Sequence, residues 1–377
     1  MRFLAHTECF FGKSRYDDLH SALGNTITGT GIALIDTAVV DSAAVRDLLS
    51  QVEIHFGNAI PVSAVSVLSE PTYDQLDDLA ALVRQSDPSF ILAIGGGSLL
   101  DLAKGVAVLL ENPGLARDYR GMGLVKKELR TMICVPTTAG TGSEATWTAS
   151  FIDDQTRIKL GINGPNVFPK YALLEPALLV GSPRKVALSA GLDSLVHAVE
   201  AVSSPLATPP ATALAVKAVA LITKHLPVAL NSEEEDSWSG VQMGAYLAGL
   251  AMLNSPGGIA SGVSYPVGTQ FHVPHGFAGG IILPYVIDFN TTRGYRGYEL
   301  LNPEMGSNRT FYQQIEELYG ILNVPRNLSE WGATGEPAIR TLRELTLNQR
   351  SGSFNYNPIP FDEADLNSLL HLICQAD

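Results

Sequence analysis

The chain has 377 residues, more than one typical hydrophobic core supports, and 46% of them are apolar, enough to fill two. Its 38 Asp and Glu against 25 Lys and Arg give a formal charge of −13, which argues against a general nucleic-acid or anionic-membrane binder, since phosphate recognition needs clustered cations. A small-molecule enzyme fits that balance better.

The opening stretch MRFLAHTECFFGKSRYDD meets charge and glycine too early for a secretory leader. No uninterrupted apolar run reaches the roughly 18 residues of a spanning helix. Cys9, Cys134 and Cys374 form no CxxC or Cys/His cluster and suggest a reducing, cytoplasmic compartment. In the first half, GIALIDTAV reads as a strand ending near Asp36, AVSVL as a second strand and SFILAIGGG as a third that runs into glycines. Between the last two, TYDQLDDLAALVRQ has apolar positions at helical spacing behind Thr72, a suitable N-cap. TMICVP then predicts a further strand, FIDDQTRIKLGI a hairpin and YALLEP one more strand. Alternation of this kind predicts a parallel sheet with crossover helices. After GSPRK the texture turns helical, through VALSAGLDSLVHAVEAVSS, ATALAVKAVALITKHLP and SWSGVQMGAYLAGLAML, with EEED at 233–236 read as a solvated loop. The expected division is an α/β domain over residues 1–181 and a helical domain over 182–377.

Gly95, Gly96 and Gly97 between a strand and a helix let the backbone approach a pyrophosphate, and Ser98 adds a hydroxyl at the helix N-terminus. The spacing is not GxGxxG, so the ordinary dinucleotide fingerprint is absent, and three glycines can merely make a tight turn, but strand, glycines and helix in the required order favour phosphate binding. PTTAGTGSEAT offers Thr137, Thr138, Thr141 and Ser143 around Gly140 and Gly142, as a nucleotide contact or as an ordinary hydroxyl-rich loop. Asp36 at a strand end can take ribose hydroxyls and repel a 2′-phosphate, or simply form a turn. Asp193 and His197, four apart on a helix, leave one face and suit either two metal ligands or a hydrogen-bonded pair. QFHVPHG adds His272 and His275.

Taken together and in order, GGGSLLDLAK, PTTAGTGSEAT, Asp193 with His197, and PHGFAGGIILP resemble the iron-containing (group III) alcohol dehydrogenases, whose fold is shared with dehydroquinate synthase. The resemblance implies an N-terminal Rossmann-like domain binding NAD or NADP, with NAD favoured by Asp36, an all-α C-terminal domain, one divalent ion (iron or zinc) and a homodimer. It puts Gly96, Gly97 and Ser98 at the pyrophosphate, with Asp101 in the same motif. Asp36 would be at the adenosine ribose, Thr137, Thr138, Thr141 and Ser143 around the cofactor, and Lys159 at the nicotinamide ribose. Asp193, His197 and His275 fall on metal-ligand positions.

One departure stands out. The family places a fourth ligand, a histidine, fourteen positions before the PHG histidine; here Ser261 stands there, and Tyr265 replaces a second family histidine. A hydroxyl is a poor ligand for iron or zinc, whereas three protein ligands with water still make a catalytic site. The expected activity is reversible hydride transfer between nicotinamide and a small alcohol or aldehyde, with His275, Tyr265 and His272 as candidate catalytic groups and an atypical metal site. Three alternatives stay open: a metal-independent reductase using Tyr265 or His275 as acid, a dehydroquinate synthase-like non-redox enzyme, and a nucleotide-binding relative without turnover. Few basic residues flank these motifs, which suggests a neutral or modestly polar substrate, and RSGSFNYNPIPF has apolar and polar residues that could shape a pocket but reads more plainly as a terminal packing segment.

Overall fold

The uninterrupted apolar runs GIALID, FILAIG and MICVP become strands buried on both faces, as strands covered by helices on either side must be. In the computed structural model, which describes residues 3–12, 15–24, 29–56, 60–67, 70–156, 158–302 and 309–375, they form the middle of a six-stranded parallel sheet. Its strands are β1 (Glu8–Phe11), β2 (Gly31–Asp36), β3 (Val62–Val65), β4 (Phe90–Gly95), β6 (Met132–Pro136) and β9 (Tyr171–Leu174), in the order β1-β9-β6-β4-β2-β3. A smaller sheet joins β5 (Gly121–Met122), β7 (Thr148–Ile152) and β8 (Lys159–Asn163), with β7 and β8 antiparallel as the hairpin reading expects. The edge strand β3 starts two residues before AVSVL. Its pairing with β2, Ala33 opposite Val62, sets the register, and β-propensity alone does not. Leu68 of that stretch and Arg157 of the hairpin lie outside the described residues.

Helices α1 (Arg15–Gly24), α2 (Ala43–Phe56), α3 (Tyr73–Arg84) and α4 (Gly97–Glu111) accompany the sheet. Thr72 caps α3 by accepting from the Gln75 amide at 3.2 Å. Leu76, Leu99, Leu102, Val106 and Phe151 are fully buried in the core beside the sheet.

The helical part contains α5 (Arg184–Ser203), α6 (Pro209–Ala229), α7 (Glu235–Leu253), α8 (Ile259–Phe271), α9 (His275–Thr292), α10 (Phe311–Leu322), α11 (Gly335–Arg350) and α12 (Glu363–Ile373). The chain divides into two compact units, one of Ala5–Thr138 with Gly142–Val180, the other of Met1–Leu4, Ala139–Thr141 and Gly181–Asp377. Two expectations need correction. The EEED stretch is not all loop: Glu235 and Asp236 form the first turn of α7, where negative charge suits the helix dipole. Also, α5 and α6 are both long and apolar enough on average to cross a membrane, since scattered polar residues interrupt an apolar run without lowering mean hydropathy much. In this fold α5 is a core helix, packed against α6, α7 and α9.

Candidate functional site

In the α/β unit, parallel register brings the motifs to one edge of the sheet. Ile35 pairs with Ile94 and Gly95 with Pro136, so β2, β4 and β6 end level. Asp36, the Gly95–Ser98 turn and the Pro136–Thr138 loop therefore emerge side by side at the carboxyl ends of the strands, the usual binding edge of an open parallel sheet. Gly96 is the N-cap of α4, and no side chain caps that helix. Its first N–H groups thus present a partial positive charge to whatever lies beyond them. A Cβ at Gly96 would stand 3.3 Å from the Thr138 hydroxyl, so the glycine keeps the turn narrow. These residues fit a nucleotide's phosphates by backbone donation rather than by cationic side chains.

The other candidates around this turn differ in exposure. Asp36 accepts from the Ala38 amide at 2.9 Å and so shapes its own turn. Thr137 is buried and its amide donates to Gly95 O, tying the two loops together. Asp101 accepts from the Ser143 hydroxyl at 2.6 Å and the Ser150 amide at 2.9 Å, which fastens α4 to the second loop and to β7. Lys159 is ion-paired with Glu70 at 2.5 Å. Thr141 belongs to the Ala139–Thr141 segment of the helical unit, where Gly140 lies against Ala190 of α5.

Behind the turn lies a buried charge cluster that the sequence did not advertise. Lys104, fully buried, donates to Thr146 O and Thr148 O at 3.2 and 2.6 Å and stands 3.7 Å from Asp101. Burial lowers the Lys104 ammonium and raises the Asp101 carboxyl, each opposed by the other's charge. Glu144, also buried, is pushed up to about 7 by desolvation, against the pull of Lys104. Cys134 beside them is held as a thiol by burial.

In the helical unit, Asp193, His197 and Glu200 follow one another at helical spacing along α5, and α9 brings His275 to meet them. The approach is close because α9 opens with small residues: a Cβ on Gly276 would fall 1.8 Å from the Ser189 carbonyl. Asp193 Oδ1 lies 3.5 Å from His197 Nε2 and 3.9 Å from His275 Nε2. His197 Nδ1 is buried with no hydrogen-bond partner. Ser264 Oγ lies 3.4 Å from His275 Nδ1, and the Tyr265 ring meets His275 edge to face at 5.1 Å.

One carboxylate and two imidazoles are a donor set suited to iron or zinc, with His197 Nε2, the nitrogen nearer Asp193, as its donor atom. The cage is open. Among the described residues no three or more His, Cys, Asp and Glu already stand grouped to hold an ion, and Asp193 to His275 exceeds the ~3.3 Å that two donors about 2 Å from one tetrahedral ion adopt. The donors fit an ion around which they draw together slightly. Ser261 does not face them as a ligand: its hydroxyl donates to Glu200 at 2.5 Å, and Glu200 also accepts from the Ala260 amide at 2.7 Å. His272 is exposed at the C-terminus of α8 in the left-handed conformation, φ +56°, a C-capping position.

Two more residues join this group unannounced. Glu200 was legible in principle, one turn beyond His197 in HAVEA. Arg350, at the end of α11, was not: its guanidinium lies over the Tyr265 ring, 3.8 Å from the centroid.

Comparison with known proteins agrees with both halves of this arrangement. Residues 6–176 match the family model described as iron-containing alcohol dehydrogenase, and residues 187–374 match that of the Fe-containing alcohol dehydrogenase family, C-terminal. Long-chain-alcohol dehydrogenase 1 of Geobacillus thermodenitrificans is 31% identical over 317 residues, covering 80% of this chain and 79% of the relative. NAD-dependent methanol dehydrogenase of Bacillus methanolicus is 32% identical over 200 residues, 53% of this chain and 52% of that protein. The chain thus spans about half the length of several curated relatives it matches. Among solved structures, 1,3-propanediol oxidoreductase superposes with a TM-score of 0.89 at 25% identity over 98% of each chain. Sulfoacetaldehyde reductase from Bifidobacterium kashiwanohense, in complex with NAD+, shares the fold with a TM-score of 0.89 at 24% identity, over 100% of this chain and 99% of that one. With its ordered motifs, its two matched halves and a relative aligned over four-fifths of its length, the chain belongs to the iron-containing alcohol dehydrogenase family.

Proposed function

We propose that the protein is an NAD(P)-dependent alcohol dehydrogenase that runs reversibly as an aldehyde reductase. The observation that carries this reading is the level ending of β2, β4 and β6, which gathers Asp36, the uncapped α4 N-terminus and the Thr137–Thr138 loop at one sheet edge. Residues 1–181 would bind the nucleotide, through Gly96, Gly97, Ser98, Thr137, Thr138, Thr141 and Lys159, while Asp101 and Ser143 hold the loops in place. Residues 182–377 would carry the metal and substrate groups. NAD is the expected cofactor, because the Asp36 carboxylate repels a 2′-phosphate, and a curated relative is named for NAD dependence.

A bound nicotinamide cofactor would supply hydride chemistry, and Asp193, His197 and His275 would hold an ion that would supply Lewis-acid chemistry toward the carbonyl oxygen. The chain itself orients the aldehyde and handles the proton. Ser264 fixes the His275 ring from its Nδ1 side, and the Tyr265 hydroxyl is carried on the ring packed against it. With an ion held by His275, the Tyr265 hydroxyl is the group that can deliver the proton that completes the alcohol; without one, His275 can serve as well. The engagement of Ser261 by Glu200 favours a second reading, in which the ion is dispensable and these proton donors alone stabilise the alkoxide. A cytoplasmic homodimer is part of the proposal.

The deciding experiment measures NADH and NADPH oxidation with a panel of aldehydes beside metal content. Asp193→Asn should lower both bound metal and kcat, the latter on the order of a thousandfold. Turnover unaffected by chelation would select the metal-independent reading, and no binding of either dinucleotide at millimolar concentration would overturn the dehydrogenase assignment.

A further inference from the structure

The Tyr265 ring carries one of the proposed proton donors, and a side chain from a distant part of the sequence is fitted to it. Helix α11 and the turn that follows it, Ser351–Tyr356, both pack on α8, the helix that bears Tyr265. Arg350 stands where that helix meets that turn, and its guanidinium carbon lies 3.8 Å from the Tyr265 ring centroid. At that range the carbon is over the ring's face, because the ring's own hydrogens fill the directions in its plane. The negative face of an aromatic ring attracts a cation placed there. The same ring meets His275 of α9 edge to face, with 5.1 Å between centroids. Thus α8 carries the ring, and α9 and α11 each lay a side chain against it.

Arg350 is itself held from behind. Thr346 and Leu342, about one and two turns back on α11, are fully buried. Beyond the turn, the buried amides of Asn357 and of Asn290 on α9 exchange hydrogen bonds, 2.7 Å in one direction and 3.0 Å in the other. Asn357 Nδ2 also donates to Ile359 O at 2.7 Å, and the Phe361 ring meets Phe289 of α9 and Phe354 of the turn edge to face. These contacts close a loop, from Asn290 through Asn357 and the turn to Arg350, then through Tyr265 back to His275 at the other end of α9. The Tyr265 hydroxyl is the atom of its side chain farthest from the backbone, so rotation about the Cα–Cβ bond displaces it most. Groups packed on the ring oppose that rotation, and a misplacement of about 1 Å at a reacting group can cost on the order of a hundredfold in rate.

We infer that Arg350 is a positioning residue for the reduction: it holds the Tyr265 ring so that the hydroxyl stands where the proton is delivered. This rests on the reading of Tyr265 as proton donor and deepens it. The hydride step and metal binding are unchanged.

A double-mutant cycle on the purified enzyme tests this, with NADH and the best aldehyde of the panel, reading kcat, KM for NADH and bound metal. Tyr265→Phe keeps the ring and removes the hydroxyl, and should lower kcat on the order of a hundredfold. Arg350→Ala should lower kcat roughly tenfold in the wild-type background and less than about twofold in the Tyr265→Phe background, with KM for NADH and bound metal unchanged in both. Arg350→Lys keeps a cation that can stand over the ring and should recover part of the loss. A merely structural contact would behave differently, because the ring is present in both backgrounds. The loss would then be equal in the two, and that result overturns the inference. So does an unchanged kcat in Arg350→Ala, or a loss that tracks falling metal content. Should Arg350→Ala fail to fold, Arg350→Met keeps the reach of the side chain, loses its planar cation and is judged by the same comparison of backgrounds. An unchanged kcat in Tyr265→Phe overturns the proton-donor reading and this inference together, whereas no NADH oxidation with any aldehyde overturns the reductase reading on which both stand.

Discussion

Two helix N-termini in this protein answer the same electrostatic need in opposite ways. Helix α4 begins at glycines, with no side chain on its first N–H groups, at the sheet edge where Asp36 and Thr137 also emerge. Helix α8 follows its N-cap Gly258, and the buried Glu200 carboxylate accepts from the Ala260 and Ser261 amides and from the Ser261 hydroxyl. One end carries no side-chain cap; the other is closed by an internal carboxylate. A free helix end therefore carries information about binding only where the chain has not filled it, and Ser261 is better understood as part of a cap than as a degraded metal ligand.

Removing the internal anion should have the largest effect on stability. Glu200→Ala strands the α8 donors in a buried setting and should cost about 3 kcal/mol in denaturant unfolding. A loss below about 1 kcal/mol would mean that α8 does not depend on this cap. Filling the open end is the converse change: Gly96→Asp gives α4 its own carboxylate and should raise the NADH dissociation constant at least a hundredfold, about 2.7 kcal/mol, with thermal stability held or increased. NADH binding unaltered in that variant would dissociate the glycine turn from the cofactor.

The next effect concerns the buried cluster behind α4. Burial raises the Glu144 carboxyl from 4.5 to about 7, so the native chain holds this proton more tightly than the unfolded chain does. Its contribution is fully present below about pH 4.5 and is lost as pH rises through about 7, a decline on the order of 2 kcal/mol across that window. Glu144→Gln should flatten the stability profile there, measured by urea unfolding at successive pH values; an identical slope in the variant would contradict the assignment. The smallest expected change is Ser261→Ala, which removes one hydrogen bond to Glu200 and should cost about 1 kcal/mol with bound metal unchanged. A fall in metal content would return Ser261 to the ligand set.

Much of the architecture is readable in the sequence. The runs around β2, β4 and β6 are apolar without alternation because both faces are covered, and that pattern already implies a parallel sheet. Thr72 ahead of a helical repeat and the glycines after β4 were equally plain. Edge strand β3 was misplaced by two residues because its limits depend on pairing with β2, which is a long-range property. The start of α7 was missed because acidic residues suit both a solvated loop and a helix's first turn.

The site divides along the same line. Asp193 and His197 share a helix face by their spacing alone, whereas the tight approach of α9 at Gly276 appears only in the fold. The ordered motifs thus carried the resemblance to the family, and local spacing pointed to the candidate nucleotide edge and three candidate donors, because each depends on residues within a few turns of one another. What only the tertiary structure decided was which distant groups meet them. Glu200 turns to Ser261, about 60 residues on, and Arg350 lies over Tyr265 from a segment that reads chiefly as terminal packing. Contacts of that kind depend on how helices lie against each other, and no periodicity within a single helix encodes them.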